Sequence, residues 1–258
     1  MSTMTTKERI RRIQRHLGVE DDGLIGPVTL SKIEEALGIG SEWANLVVSL
    51  RGLEMLIGFE ISSDSYYRRK LSAPYWPGGA SGVTIGIGYD LGYSTPSRIE
   101  KEWRGRISDA TLQEIRGVAG IKGIDAREAA RRLQQLGIRI PLEAAKSVFF
   151  RDTLPRYAEL TRKTYPGVET LPHDAQAALL SLIYNRGTAK QGSRRREMKA
   201  IEALVREQSL KQIAQQIRAM KRLWIGKGLP GLLKRREMEA VLVENAKRPY
   251  RAEELVYL

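Results

Sequence analysis

Phe59–Gly92 reads FEISSDSYYRRKLSAPYWPGGASGVTIGIGYDLG. From Val83 to Leu91 the residues alternate, with Val83, Ile85, Ile87, Tyr89 and Leu91 on one side and Thr84, Gly86, Gly88 and Asp90 on the other. A period of two predicts a strand or a tight hairpin. The apolar row can pack on a core. The other row is nearly bare, and glycine in a strand marks a bend or the close approach of another backbone or a ligand. Two readings stay open: a floor for a bulky polar substrate, with Thr84 and Asp90 as its polar groups, or a glycine-rich corner. Upstream, Trp43 to Glu60 reads as a helix with apolar residues at Leu46, Leu50, Leu53, Leu56 and Ile57. Glu60 follows Leu53, Leu56 and Ile57 at seven, four and three positions, which places it on the apolar face. A carboxyl there is expected to be desolvated and to keep its proton towards neutral pH, the property a glycoside general acid needs. The plainer reading is a helix-terminal Glu turned to solvent.

A Glu closing an apolar helix, an extended tyrosine-containing segment and then TIGIGY resemble the phage-type lysozymes, the endolysins of glycoside hydrolase family 24 and the related pesticin-like muramidases. Three later stretches are similar as well: DAQAALLSLIYNRG (Asp174–Gly187) to the family's buried central helix, and Leu210–Trp224 and Gly228–Leu242 to its closing helices. The resemblance implies a lysozyme-like α+β fold, mostly α, with a β-hairpin lobe and a helical lobe flanking a cleft. It implies Glu60 as catalytic acid, Thr84 across the cleft, Asn185 at its border and no cofactor or metal. The match departs from the family where a catalytic Asp usually stands between the Glu and the threonine. After Asp64 the next acid is Asp90, on the same strand face as Thr84; the second carboxylate is either lost or moved, with Asp90 as its candidate and a structural place as the alternative for Asp90. Tyr89 stands where many relatives have a histidine and is the neighbouring substrate-binding candidate.

The first forty residues read as two short helices. Ile10, Ile13, Gln14 and Leu17 form one amphipathic face stopped by Gly18; Asp21-Asp22-Gly23 is a turn; Pro27 opens a second helix, Val28 to Leu37. IQRHLGVEDDGLIGPVTLSKIEEAL resembles the N-terminal peptidoglycan-binding domain of wall hydrolases, through Gln14, Leu17, Gly18, Asp22, Gly23, Gly26, Pro27 and Thr29. That resemblance implies a muropeptide-binding role for Gln14, Asp22 and Gly23, on a module spanning residues 1–40 before a catalytic domain of residues 41–258. A helix pair of this size is expected to dock on the rest of the chain rather than stand by itself. The alternative is a packed cap that binds nothing.

Composition bounds the remainder. A chain of 258 residues with 42% hydrophobic and 28% charged residues buries an ordinary core in one or two domains. It has no cysteine and two histidines, His16 and His173, which excludes a disulfide framework and speaks against a metal site. The net charge of +13 calls for an anionic partner. Peptidoglycan with its peptide carboxylates qualifies; no nucleic-acid-binding motif appears. The arginines recur in pairs and triples at Arg68-Arg69, Arg131-Arg132, Arg194–Arg196 and Arg235-Arg236. Ala175–Tyr184, apolar nearly all round, predicts a helix buried on every side. Ser193 and Ser209 are expected to cap the helices that follow them, Ser209 in a capping box with Gln212. Without a signal peptide or an apolar run long enough to span a bilayer, the protein is expected to be made in the host cytoplasm, without stable membrane insertion, and as a monomer.

The expected function is an N-acetylmuramidase, a phage endolysin that reaches the periplasmic wall through holin pores. The rivals are a lytic transglycosylase and a non-catalytic peptidoglycan-binding protein.

Overall fold

The computed structural model describes residues 4–25, 27–37, 46–61, 63–246 and 248–258. In chain order its elements are α1 (Thr6–His16), α2 (Pro27–Ala36), β1 (Val47–Ser49), α3 (Leu50–Ile61), α4 (Asp64–Tyr66), β2 (Thr84–Ile85), β3 (Tyr89–Asp90), α5 (Pro96–Trp103), α6 (Asp109–Arg116), α7 (Ile124–Gln135), α8 (Leu142–Val148), α9 (Leu154–Thr164), α10 (His173–Arg186), α11 (Arg196–Arg206), α12 (Leu210–Ala219), α13 (Pro230–Glu244) and β4 (Leu255–Tyr257). The class is mostly α with little strand, as the sequence implies. No helix among the described residues is long and apolar enough to cross a membrane. Contacts divide the chain into two compact units, residues 1–56 with 155–258, and residues 57–154. The boundary expected near residue 40 lies outside the described residues, and the N-terminal helix pair groups with the C-terminal half of the chain.

The first unit is built around α10, whose residues Asp174 to Ile183 are all buried, as its unbroken apolar run predicts. α13 and β1 pack on α10, and α12 lies against α11 and α13. The expected helix from Trp43 begins later. Val47–Ser49 is a strand paired antiparallel with Leu255–Tyr257, and the helix starts at Leu50. Residues 43–45 lie outside the described set. The extended start has a reason in its partners. The Val47 N–H donates to Gln176 Oε1 at 3.0 Å, and the Val47 carbonyl lies 2.8 Å from His173 Nδ1, so the strand is hydrogen-bonded to the first turn of α10 as well as to β4. α2 packs beside β4, which fulfils the expected docking of the helix pair.

Arg235 and Arg236, read above as part of a partner-facing charge pattern, are interior. Both are buried with Glu239, whose Oε1 accepts from Arg236 Nη2 at 2.8 Å, Arg235 Nε at 3.2 Å and the Ser181 hydroxyl at 2.6 Å. The bonds to Ser181 tie this charged cluster of α13 to α10. Two of the expected caps are not made. α11 starts at Arg196, with Ser193 in the preceding 3₁₀ turn, and Ser209 precedes α12 without a side-chain bond to it.

The second unit joins the hairpin to helices α4–α8. Thr95 caps α5 through the Arg98 N–H at 3.2 Å, with Pro96 in the first turn. Ile99, Trp103, Leu112 and Ile115 supply its core from α5 and α6.

Candidate functional site

The hairpin is as short as its glycines allow. Thr84 faces Asp90 and Ile85 faces Tyr89, and Gly86-Ile87-Gly88 makes the turn. Gly86 and Gly88 take φ of +58° and +63°, a region closed to most side chains. The apolar row is buried throughout, from Val83 to Leu91. The other row is not an open floor. A Cβ placed on Gly86 would sit 3.2 Å from Ala145 and 3.3 Å from Trp103, so protein already occupies that side of the turn. The corner reading of these glycines therefore holds at Gly86.

Thr84 is 4% exposed. It forms a second antiparallel bridge, on the side away from β3. The Tyr75 N–H donates to the Thr84 carbonyl at 3.0 Å, and the Thr84 N–H donates to the Tyr75 carbonyl at 2.7 Å. Residues directly opposite in antiparallel strands put their side chains on the same face. Tyr75, Thr84 and Asp90 thus form one row across three strand segments. Tyr75 escaped the sequence reading, although a signal was present. Pro74 and Pro77 bracket Tyr75-Trp76, and the residue before a proline is biased to extended backbone.

Glu60 closes α3 one residue before its end and is half-buried. Tyr75 links it to the row. Burial first, then the charge of Glu60, the Tyr66 hydroxyl and the charge of Asp90, push the Tyr75 phenol up to about 12. Glu60 and Asp90 therefore share an electrostatic neighbourhood centred on Tyr75. The structure pairs Thr84 with Asp90 across the hairpin, and the charges of Glu60 and Asp90 both act on Tyr75.

Asp90 has a scaffold role. Its Oδ1 accepts from the Gly92 N–H at 2.8 Å and the Gly82 N–H at 3.1 Å, and Oδ2 lies 3.2 Å from the same Gly82 nitrogen. It caps the 3₁₀ turn Leu91–Tyr93 and pins the incoming chain at Gly82 to the outgoing chain at Gly92. The approach is close: a Cβ on Gly82 would fall 2.3 Å from the Gly92 nitrogen and 2.5 Å from Asp90 Oδ1. Burial raises the Asp90 carboxyl above its ordinary range, against the pull of the Gly82 and Gly92 N–H groups and of Lys122.

Tyr89 is placed away from any substrate surface. The residue is 2% exposed, its hydroxyl donates to Glu102 Oε2 at 2.6 Å, and its ring meets Trp103 edge-on at 5.4 Å. The histidine of the resembled family is replaced here by a core residue with a buried partner.

In the first unit, Gln14 is 1% exposed and its carboxamide is fully engaged. Its Nε2 donates to Asp22 Oδ1 at 2.7 Å and the Leu24 carbonyl at 2.8 Å, with Thr29 Oγ1 at 3.1 Å, and its Oε1 accepts from the Gly23 N–H at 2.8 Å. Asp22 Oδ1 also accepts from the Leu24 N–H at 2.8 Å. The Gln14 bond, then the Leu24 bond, hold the Asp22 carboxyl below its ordinary range. Gln14, Asp22 and Gly23 do come together, but as the knot that shapes the 21–25 loop. The loop turns outward Leu24 and Ile25 together with Asp21 and Asp22. Asn185 is exposed near the end of α10, and the terminal bond there is the Gly187 N–H to the Ile183 carbonyl.

Residues 56–164 match the family described as "Domain of unknown function (DUF8812)". The matched segment starts in α3, takes in the whole hairpin unit and ends with α9, so it contains Glu60, Tyr75, Thr84 and Asp90. No curated protein matches the chain. Among the described residues no group of three His, Cys, Asp or Glu side chains is placed to hold a metal ion. The grooves over Glu159–Glu169 and over Ala110–Arg139 are lined by none of the candidate residues.

Proposed function

We propose that the protein cleaves the glycan strands of bacterial peptidoglycan at the β-1,4 bond between N-acetylmuramic acid and N-acetylglucosamine, with Glu60 as the proton donor. The observation that carries this reading is the convergence of Glu60 with the Tyr75–Thr84–Asp90 row, on the motif that resembles phage-type lysozymes. In this reaction Glu60 passes its proton to the glycosidic oxygen as the bond to the anomeric carbon breaks. Positive charge develops on the sugar, and negative charge nearby stabilises it. The net charge of +13 favours association with a wall polymer rich in carboxylates. Exposed Leu24 and Ile25 give the N-terminal loop an apolar surface for the same polymer. The biological setting that fits is a phage endolysin, made in the host cytoplasm and released to the wall by a holin.

A second reading is favoured by one observation. Asp90 directs both carboxylate oxygens at backbone N–H groups, which argues against its serving as a nucleophile or as the base for a water. Attack by the muramic 6-hydroxyl needs no second carboxylate, and it leaves a 1,6-anhydro end in place of a reducing end.

The test is muropeptide mass analysis of purified sacculi treated with wild type and with Glu60→Gln. Reducing muramic ends identify hydrolysis and anhydro ends identify transglycosylation. In either case Glu60→Gln is expected to lose activity by about 100-fold or more. Equal product from both proteins removes Glu60 from the mechanism. Binding to sacculi without any released product makes this a binding protein.

A further inference from the structure

The first unit carries a charged corner that the proposed reaction does not use. It lies where α10 ends and α11 begins, around Arg186, Arg194 and Arg195. Arg186 Nη2 donates to the Arg194 carbonyl at 2.6 Å, and Arg195 Nη1 donates to the Arg186 carbonyl at 2.6 Å. These two bonds tie the ends of the 187–195 loop together, which is the ordinary structural use of such arginines. A carbonyl accepts a hydrogen bond but cancels no charge, and each guanidinium has five N–H donors to place.

The nearby carboxylates are already taken. Glu197 pairs with Arg196 and Arg222, and Glu202 with Lys190 and Arg206. Among the described residues no acid pairs with Arg186, Arg194 or Arg195. Behind them the polar groups are short of acceptors. Arg186 Nε, Arg236 Nε and Nη1 and the Tyr165 hydroxyl are buried without a hydrogen-bond partner, and Arg236 and Tyr165 are fully buried residues. Arg186 and Arg236 both lie over the Trp224 ring, at 5.1 and 5.9 Å. Burial, then the charges of Arg195, Arg236 and Arg194, press the Arg186 guanidinium down to about 10. The first turn of α11 already holds Glu197, whose carboxylate is engaged by Arg222, Arg196 and its own backbone N–H, so the helix start is not the vacancy. What lacks a counter-charge is the arginine group itself: among the described residues its three guanidiniums bond to carbonyls or to no oxygen, with the Arg186 Nε left without an acceptor.

We propose that Arg186, Arg194 and Arg195, at the start of α11, form a binding site for an oxyanion, a carboxylate or phosphate group. Guanidinium groups offer paired N–H donors that match two oxygens of such a group. The site is independent of any role for Glu60.

The full-length protein is titrated at constant ionic strength with sodium phosphate in one arm and N-acetylglutamate in the other, with sodium chloride as the balancing salt. Binding is read from tryptophan fluorescence and from the arginine Nε–Hε resonances. Arg194 has an exposed side chain and lends only its carbonyl to the loop, so Arg194→Gln leaves the loop bonds in place. The expected result is a saturable response to at least one probe, absent from the fluorescence of Trp224→Phe, with affinity weakened about tenfold or more in Arg194→Gln. Response to phosphate only, or to the carboxylate only, names the natural source. No saturable response to either probe overturns the site, as does unchanged affinity in both Arg194→Gln and Arg195→Gln.

Discussion

The two units solve one problem in opposite ways: how to keep a carboxylate inside a protein. In the helical unit Asp174, fully buried at the start of α10, meets arginines. Arg51 reaches it through Nε at 2.8 Å and also through Nη2, and Arg248 Nε lies at 3.3 Å. Burial pushes this carboxyl up, but hydrogen bonds from Arg51, Ser49 and Tyr250 outweigh it and hold the group below its ordinary range. In the hairpin unit Asp90 is only half-buried, yet burial wins and its carboxyl is raised. Its acceptors are filled by the Gly82 and Gly92 N–H groups, with Lys122 acting only through charge. The difference teaches that a guanidinium hydrogen-bonded through paired donors offsets the desolvation of Asp174, where backbone N–H groups alone do not do so for Asp90. An ion pair by itself does not suffice: Asp152, 3.2 Å from Arg106 in the hairpin unit, is raised by burial as Asp90 is.

The largest effect is expected where the helical unit's strategy is removed outright. Glu239→Ala leaves Arg235 and Arg236 buried without their shared carboxylate, and such a loss costs about 3–5 kcal/mol. Urea unfolding followed by far-UV circular dichroism checks this, and a loss below about 1 kcal/mol would mean that the pair is dispensable to the α10–α13 contact.

Next is Asp174→Asn, which keeps the shape and removes the charge. Because the folded carboxyl sits below its unfolded value, its stabilisation is present above about pH 4 and is lost as pH falls through the folded value. The stability gap between wild type and Asp174→Asn is therefore expected to widen from pH 2 to pH 5, reaching about 2–3 kcal/mol. A gap that does not change with pH would break the comparison on this side.

The smallest effect, and the one of opposite sign, belongs to Asp90→Asn. The amide oxygen can still accept from Gly82 and Gly92, so stability at neutral pH should change by no more than about 1 kcal/mol. The folded carboxyl is raised, so its contribution is full below about pH 4 and is lost as pH rises through the folded value. Wild type should thus lose ground to Asp90→Asn between pH 4 and pH 7, the reverse of the trend at Asp174. Parallel pH series on both variants sharpen the contrast, and slopes of the same sign would dissolve it.

Much of the local structure was legible in the residues themselves. The apolar run of α10, the hairpin of Val83–Leu91 and the turn at Asp21–Gly23 each follow from patterns a few residues long, because propensity and period act within one element. Glu60 and Thr84 were singled out through motif and resemblance. Tyr75 was not, since its place beside Thr84 depends on a bridge between strand segments. The same limit applied to Gln14. Its period marked it correctly as inward-facing, but only the folded loop shows its carboxamide consumed by Asp22, Gly23 and Leu24.

What the sequence determined by itself is therefore the inward faces of the hairpin and of α10, but not where α3 or α11 begins. Tertiary structure decided their partners. Val47–Ser49 is a strand rather than a helical turn because Leu255–Tyr257 pairs with it from the far end of the chain. Arg51 finds Asp174 at a separation of 123 residues. Arg235 and Arg236 became interior because Glu239 and Ser181 meet them there, and Asp90 became a clasp because Gly82 and Gly92 pass within hydrogen-bonding distance. The physical reason is common to all four. A side chain's facing depends on neighbours three or four residues away, whereas the fate of a charge or an amide depends on which donor or acceptor, near or far along the chain, reaches it once water is gone.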